Sequence, residues 1–275
     1  LQNALTKSID LPVLSVSGLS IYPLKSCRGI ELTVSDVAAF GLEGDRRWMV
    51  VDAQGVMLTQ RKLTSMCLIQ AELTQARLVL KHSAMQDLIV NIPDGRKISQ
   101  VKVWHDQCHA YDAGDEAAHW LSQLLATKCR LVYFPEDEFR QVDLNFAQAG
   151  DKTAFSDGFP LLLISQASLD ELNSRLIKPV SMSRFRPNIV IQGCAPFAED
   201  NWKIIKIGEI IYRLVKPCSR CVIPGINIET AEREAEPVKT LSTFRKFNNK
   251  VFFGQNMIAE GSGKIAVDMS VEIIE

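Results

Sequence analysis

No stretch of this sequence approaches the ~18 uninterrupted apolar residues of a membrane span, so no helical membrane protein is expected. The opening LQNALTKSIDLPVLSV lacks a basic head followed by a long apolar stretch, and no signal peptide is expected there. Neither sign of charge is in excess: 31 Lys and Arg against 32 Asp and Glu leave a net charge of −1. Without a long-range field, neither nucleic acid nor an anionic membrane surface is expected as a partner. Internal repeats and low-complexity tracts are absent from the sequence. Seven cysteines are an odd number, and apart from Cys218 and Cys221 they are scattered, which is not a disulfide framework. That usage suggests a reducing compartment, and a cytoplasmic enzyme is the expectation. What is present, 275 residues with 47% hydrophobic and 23% charged side chains, describes one large or two medium globular domains whose core needs no staples.

The first half reads as β. Segments 13–23, 46–52, 78–82 and 88–93, with alternation near 101–103, are short and rich in Val, Ile and Leu, and turn residues punctuate them. Asp52-Ala53-Gln54-Gly55 reads as a hairpin turn. A helix is expected over 114–127, where Ala117, Trp120, Leu121, Leu124 and Leu125 share one face. Ser168 and Glu171 have the spacing of a capping box and predict a second helix; Pro237 predicts the start of a third. Strands return at 161–165, 188–193, 210–215, 251–260 and in the terminal MSVEII, and the polar stretch 135–158 reads as a connection or loop between the halves. The fold class is therefore mostly β with a few helices.

The chemistry-bearing stretch is Lys216-Pro217-Cys218-Ser219-Arg220-Cys221-Val222-Ile223-Pro224. Cysteines at i and i+3 would suit half of a zinc site, but His82, His105, His109 and His119 lie in the other half and there is no second pair. A thioredoxin-like pair is a second reading, since Lys216 and Arg220 would favour a thiolate, yet Pro224-Gly225 argues for a loop. Two buried loop cysteines with no chemistry are a third.

CSRCVIPGINIET resembles the cysteine loop of MOSC-domain proteins, the group that includes mitochondrial amidoxime-reducing components and YcbX-like bacterial proteins. The similarity runs in order through Tyr22-Pro23-Leu24-Lys25-Ser26-Cys27-Arg28-Gly29, Gly44-Asp45-Arg46-Arg47-Trp48, Phe155-Ser156-Asp157, Arg184-Phe185-Arg186-Pro187-Asn188 and Phe253-Gly254-Gln255. It implies an N-terminal β-barrel-like domain over 12–134 packed on a MOSC β-barrel domain over 135–275, with the molybdenum cofactor (Mo-molybdopterin) in the groove between. It implies that Cys221 is the metal's protein ligand and that Ser219 and Arg220 touch the cofactor. Lys25, Ser26 and Arg46, with Arg186 and Asn188 from the MOSC side, would contact its phosphate or pyranopterin. Gly158 and Phe159 fall on a cofactor-contacting loop, and Asn256 falls where some members carry Tyr. The chemistry agrees: the cofactor is anionic, Arg offers paired donors for phosphate, and buried cations in a near-neutral chain need an anion.

Taken singly, the same residues have plainer readings. Arg46 and Arg47 alternate along 46–52, so one is expected to face solvent; Arg186 could hold the Pro187 turn, and Asn188 could satisfy local backbone. Trp48, Trp104, Trp120 and Trp202, with Cys27 and Cys194, are expected in the core. The implied function is a molybdenum-dependent oxidoreductase that takes an oxygen atom from N-hydroxylated or N-oxide small molecules. The Cys-x4-Cys-x2-Cys pattern of a plant-type ferredoxin is absent, so no iron–sulfur cluster is expected in this chain; either a separate ferredoxin or flavoprotein would supply electrons or the sequence is a truncated version of a longer chain. Two rivals stand beside this: a cofactor carrier or sulfur-handling protein, for which pyridoxal phosphate would be only a family-inherited label, and a thiol redox protein using Cys218 and Cys221.

Overall fold

The computed structural model describes residues 13–74 and 76–275; residues 1–12, where no signal peptide is expected, lie outside the described residues. The largest sheet has nine strands. It runs from Val271–Ile273 through Ile204–Ile207, Ile210–Arg220, Lys250–Glu260, Leu161–Ser165, Ile189–Gln192 and Ser15–Ile21 to Ile30–Leu32, with Lys246–Phe247 beside Lys250–Glu260. Only Leu161–Ser165 and Ile189–Gln192 pair in parallel within it. The expected closed barrel is not formed as a continuous ladder. The start of Ser15–Ile21 and the residues leading into Val271–Ile273 meet through one bridge, Ser15 with Ser270, and through Val16 bonded to Met269 and Asp268 and Leu14 bonded to Val271. Ser15–Ile21 carries a bulged register with Ile189–Gln192 between Val16 and Gly18.

Three smaller sheets complete the β structure. Trp48–Asp52, Cys129–Tyr133, Asp106–Asp112 and Ile98–Val103 form one; Gln70–Leu73, Arg77–His82 and Met85–Asn91 form another; Gly263–Ala266, Val34–Ala38 and Gly41–Leu42 form the third. Strands from residues 15–42 therefore pair with strands beyond residue 188, so sheet membership crosses the middle of the sequence. The hairpin at Asp52 is present: its Oδ1 accepts from the N–H groups of Gln54 and Val56, and Gly55 adopts φ +75°. A Cβ at Gly55 would lie 2.6 Å from the Gln100 carbonyl oxygen, so only glycine lets the turn approach that strand.

The helix Asp115–Leu125 buries Ala117, Trp120, Leu121 and Leu125 against Leu78, Leu80, Leu88 and Val90, as its periodicity predicted. The helix Val238–Phe244 follows Pro237 and buries Leu241. The helix Gln166–Asn173 starts one turn earlier than the capping-box reading implied. Its cap is Ser165, whose Oγ accepts from the Ser168 N–H at 3.1 Å. Ser168 is inside the first turn, where its hydroxyl donates to the buried Glu199, while Glu171 pairs on the surface with Arg175. The sequence spacing was real, but a buried carboxylate outcompeted the local cap for Ser168.

Ser165→Ala should lower the unfolding free energy by about 1–2 kcal/mol, the cost of losing a cap, whereas Glu171→Ala should change it by less than about 0.5 kcal/mol, an exposed pair's worth. Urea unfolding of both variants checks this; equal losses would restore Glu171 as part of the cap.

Candidate functional site

Several loops and parts of three strands meet at one cavity of about 150 Å³. Lys25 and Ser26 come from the loop after Ser15–Ile21, Arg46 from the turn before Trp48–Asp52, and Arg186 and Asn188 from the entry to Ile189–Gln192. Gly158 and Phe159 precede Leu161–Ser165, and Asn256 lies within Lys250–Glu260. Ser219, Arg220 and Cys221 close the end of Ile210–Arg220. That strand carries two register shifts, between Leu214 and Lys216 and between Pro217 and Ser219. Pro217 has no N–H to give a ladder and sits at the second shift, so the strand bends there and delivers its cysteine loop to the cavity.

The wall is held under backbone strain. Ser26, Arg46 and Arg186 adopt φ of +70°, +49° and +58°, a region that non-glycine residues seldom enter. Three such residues on one cavity imply that tertiary bonds over-determine their positions. Arg46 shows how: its Nη1 donates to Asp45 at 2.5 Å and to Asn188 Oδ1 at 3.1 Å, and its Nη2 to the Arg186 carbonyl at 3.2 Å. Asn188 Oδ1 also accepts from Leu162 N–H, and its Nδ2 donates to Ser20 O, so Asn188 ties two strands to Arg46. The left-handed φ of Arg46 takes it out of the expected strand alternation, and both Arg46 and Arg47 are turned inward; Arg47 donates to the Phe134 carbonyl and to Glu136.

Cations dominate the lining. Lys25, Arg46, Arg61, Arg186 and Arg220 face one carboxylate, Asp157. Lys25 Nζ donates to Asp157 and to the Phe155 carbonyl, both at 2.6 Å, and burial brings its pKa down to about 8 despite Asp157. Burial disfavours the Asp157 anion, but Lys25 and Arg61 outweigh that and hold its carboxyl well below the usual range. Arg46 and Arg186 lie 4.6 and 4.1 Å from the Tyr22 ring centroid, and Arg186 is made a weaker base by burial and by Arg46. Gly29 makes room for this cluster, since a Cβ there would be 2.5 Å from the Tyr22 ring. Arg186 Nη1 donates to the Cys27 carbonyl, but its Nη2 is buried without a partner, as is Arg220 Nε.

Two matches to known families cover most of the chain: a MOSC N-terminal beta barrel domain over residues 13–128 and a MOSC domain over residues 150–272. Mitochondrial amidoxime-reducing component 1 of Mus musculus is 34% identical over 94% of this chain and 82% of its own length. The Homo sapiens protein of the same name is 33% identical over 94% of this chain and 83% of its length. The chain belongs to the MOSC-domain family. It is also 33% identical to molybdenum cofactor sulfurase 3 of Aedes aegypti, over 90% of this chain but 34% of that protein.

MOSC-domain membership directs attention to how the lining would suit a large anion with a metal. Partnerless guanidinium nitrogens on Arg186 and Arg220 are donors awaiting an acceptor. Among the described residues no three His, Cys, Asp or Glu side chains cluster as a metal cage. Two thiols line the cavity, Cys218 with Arg220 Nη1 at 3.1 Å and Cys221 with Arg61 Nη2 at 3.4 Å, a sparse donor set of the kind that suits a metal bringing its other ligands with it. The fit is good.

Sequence reasoning missed Arg61. Its Nη2 donates to Asp157 at 2.9 Å and lies 3.4 Å from Cys221 Sγ, and a lone Arg in Thr59-Gln60-Arg61-Lys62 gives no local signal of this. Arg140 was missed as well: it is buried and donates to the carbonyls of Ala154, Ser156 and Asp157, so part of the 135–158 connection is a built wall of the site. Trp48, Trp120 and Trp202 are buried as expected, but Trp104 is 40% exposed beside Arg61. Strand parity could have shown it, because Val101 and Val103 point inward and position 104 falls on the other side. Cys27 is buried in the core, and Cys194 is partly buried at the edge of the large sheet's core.

Because its folded pKa lies below the ordinary 10.5, Lys25 binds fewer protons folded than unfolded between about pH 8 and 10.5, so its contribution to stability rises with pH there. The unfolding free energy of wild type minus that of Lys25→Met should increase from pH 8 to pH 10. A flat difference would show that Lys25 titrates normally and a falling one that its folded pKa is raised; either would overturn the assignment.

Proposed function

We propose that this chain is a molybdenum-cofactor-dependent reductase of small N-hydroxylated or N-oxide substrates, with Cys221 as the protein thiolate on the metal. The observation that carries it is the convergence of five cations, one carboxylate and two partnerless buried guanidinium nitrogens around a cavity that also exposes Cys221. The names of the amidoxime-reducing relatives support the substrate class.

Arg46, Arg186, Arg220 and Lys25 would bind the cofactor's anionic groups, with Ser26, Gly158, Phe159, Asn188, Ser219 and Asn256 forming the surrounding wall. When bound, the cofactor supplies the two-electron chemistry that takes up a substrate oxygen atom. The balance is R–NHOH + 2 e⁻ + 2 H⁺ → R–NH₂ + H₂O, and the electrons come from a separate ferredoxin or flavoprotein. Asp157 and Arg61 sit beside Cys221, so the substrate's polar end meets an ion pair rather than bulk water. Asp157 also anchors Lys25, while Arg140 clamps the Asp157 loop from behind.

Protein made in a molybdate-fed, cofactor-competent host should hold near-stoichiometric molybdenum and pterin, and Cys221→Ala should lose most of the molybdenum. Absence of both from wild type, beside a well-loaded control molybdoenzyme, would end the proposal. Arg186→Met should reduce bound pterin while leaving the unfolding free energy of cofactor-free protein unchanged or higher by about 1–2 kcal/mol, because an unpaired buried charge is removed. A marked loss of stability would make Arg186 structural instead. The similarity to a cofactor sulfurase favours a second reading, a carrier without turnover. Loaded protein that reduces no amidoxime with either donor class would select it.

A further inference from the structure

The cavity at Cys221 opens into an outer chamber of about 610 Å³, and the two share Asp157, Gly158, Phe159, Cys218, Ser219 and Asn256. Their charges differ. The outer chamber is lined by Asp106, Asp143 and Asp157, against Lys216 and Arg140. Arg140 is buried and pairs with Asp106, and both Asp157 oxygens are taken by Lys25 and Arg61, so Asp143 and Lys216 are the chamber's remaining charges and they are opposite in sign. Lys216 lies 3.9 Å from the centre of the Phe146 ring. A cavity with a surplus of cations thus gives way to one without that surplus, which offers aromatic surface on Trp104 and Phe159.

Trp104 is the unusual member. It is the first residue of the two-residue link between Ile98–Val103 and Asp106–Asp112, and its φ is +58°. Glycine or asparagine is the ordinary occupant of a positive-φ hairpin position, and a bulky side chain there is strained. Nothing in the core repays that strain, because Trp104 is 40% exposed. Its contact is the Arg61 guanidinium, 4.6 Å from the ring centroid, and Arg61 in turn reaches Asp157 and Cys221. A strained, exposed indole at a chamber mouth, linked by one side chain to the reactive sulfur, is arranged for contact with a ligand.

We propose that Trp104 is a specificity-determining wall of the substrate chamber, stacking on the flat, π-bearing body of an uncharged or cationic nitrogen base whose N–O end points toward Cys221. The inference rests on the reductase reading for the identity of the reaction, but the binding it requires is independent of turnover. The ligand class follows from the lining: no surplus of cations is there to hold an anion, and the indole and phenyl faces favour an aryl group over a short alkyl one.

The test compares wild type with Trp104→Gly. Calorimetric titration with benzamidine, an aryl amidinium, on cofactor-free protein should show binding that weakens about tenfold or more in the variant, the loss expected of one stacking face. Acetamidine binding should change less than about twofold. The melting temperature of Trp104→Gly should be equal to or above that of wild type, since glycine relieves the positive φ. In loaded protein, KM for an aryl amidoxime should rise by a similar factor with kcat and molybdenum content nearly unchanged. Equal benzamidine affinity in the two proteins, or none in wild type, would overturn the proposal, as would a lowered melting temperature with unaltered KM. Failure of turnover with benzamidine binding intact would instead count against the reductase reading and leave the chamber assignment standing.

Discussion

Buried cations without enough carboxylate to neutralise them are the constraint on which the site depends. Arg46 and Arg186 approach the same Tyr22 ring, and Asp45 is the one acid bonded to either. Taking guanidinium groups out of water is costly unless donors find acceptors. The protein meets part of that need with carbonyl groups: Arg186 uses Cys27, Arg220 uses Phe185, and Arg46 uses Arg186 itself. The remaining donors point to an anionic ligand as part of the folded balance, which makes ligand retention and fold stability opposing properties at these positions.

Holding those groups in place is the work of the neighbouring strands. Asn188 connects Ser20, Leu162 and Arg46, so any slip between the strands it joins would move the arginine. Positive φ angles at Ser26, Arg46 and Arg186 turn three side chains into the cavity from short loops that regular strand geometry could not bend so sharply. The bulged end of Ile210–Arg220 does the same for the cysteine loop. Rigid sheet and strained loop thus act together: the ladders fix loop roots, and the loops spend a little of that stability on aiming side chains.

A second consequence follows from the arrangement of charge. The cationic cavity and the carboxylate-lined outer chamber meet at Asp157, which Lys25 and Arg61 hold ionised. One residue therefore closes the cationic set and marks the border with a chamber that lacks it. A ligand in the inner cavity would be held by its surplus of cations and a base in the outer chamber would meet no such surplus, so the same fold separates two different chemical classes.

By itself the sequence determined the mostly β class, the three helices to within a turn, and a set of cavity residues identifiable through ordered family motifs. These are local properties: periodicity in Asp115–Leu125, turn chemistry at Asp52, and the Cys218–Cys221 spacing are all readable within a few residues. Tertiary structure alone decided which groups complete the site. Arg61 is 160 residues from Cys221 in the chain, and Arg140 grips carbonyls from a stretch that reads only as a connection. It also decided that Ser165 rather than Ser168 caps its helix, because Glu199, more than thirty residues away, claims the Ser168 hydroxyl. A side chain's role was legible where its partners lie within a turn or two of sequence. Where desolvation and long-range hydrogen bonds choose the partners, only the folded chain brings the competitors together.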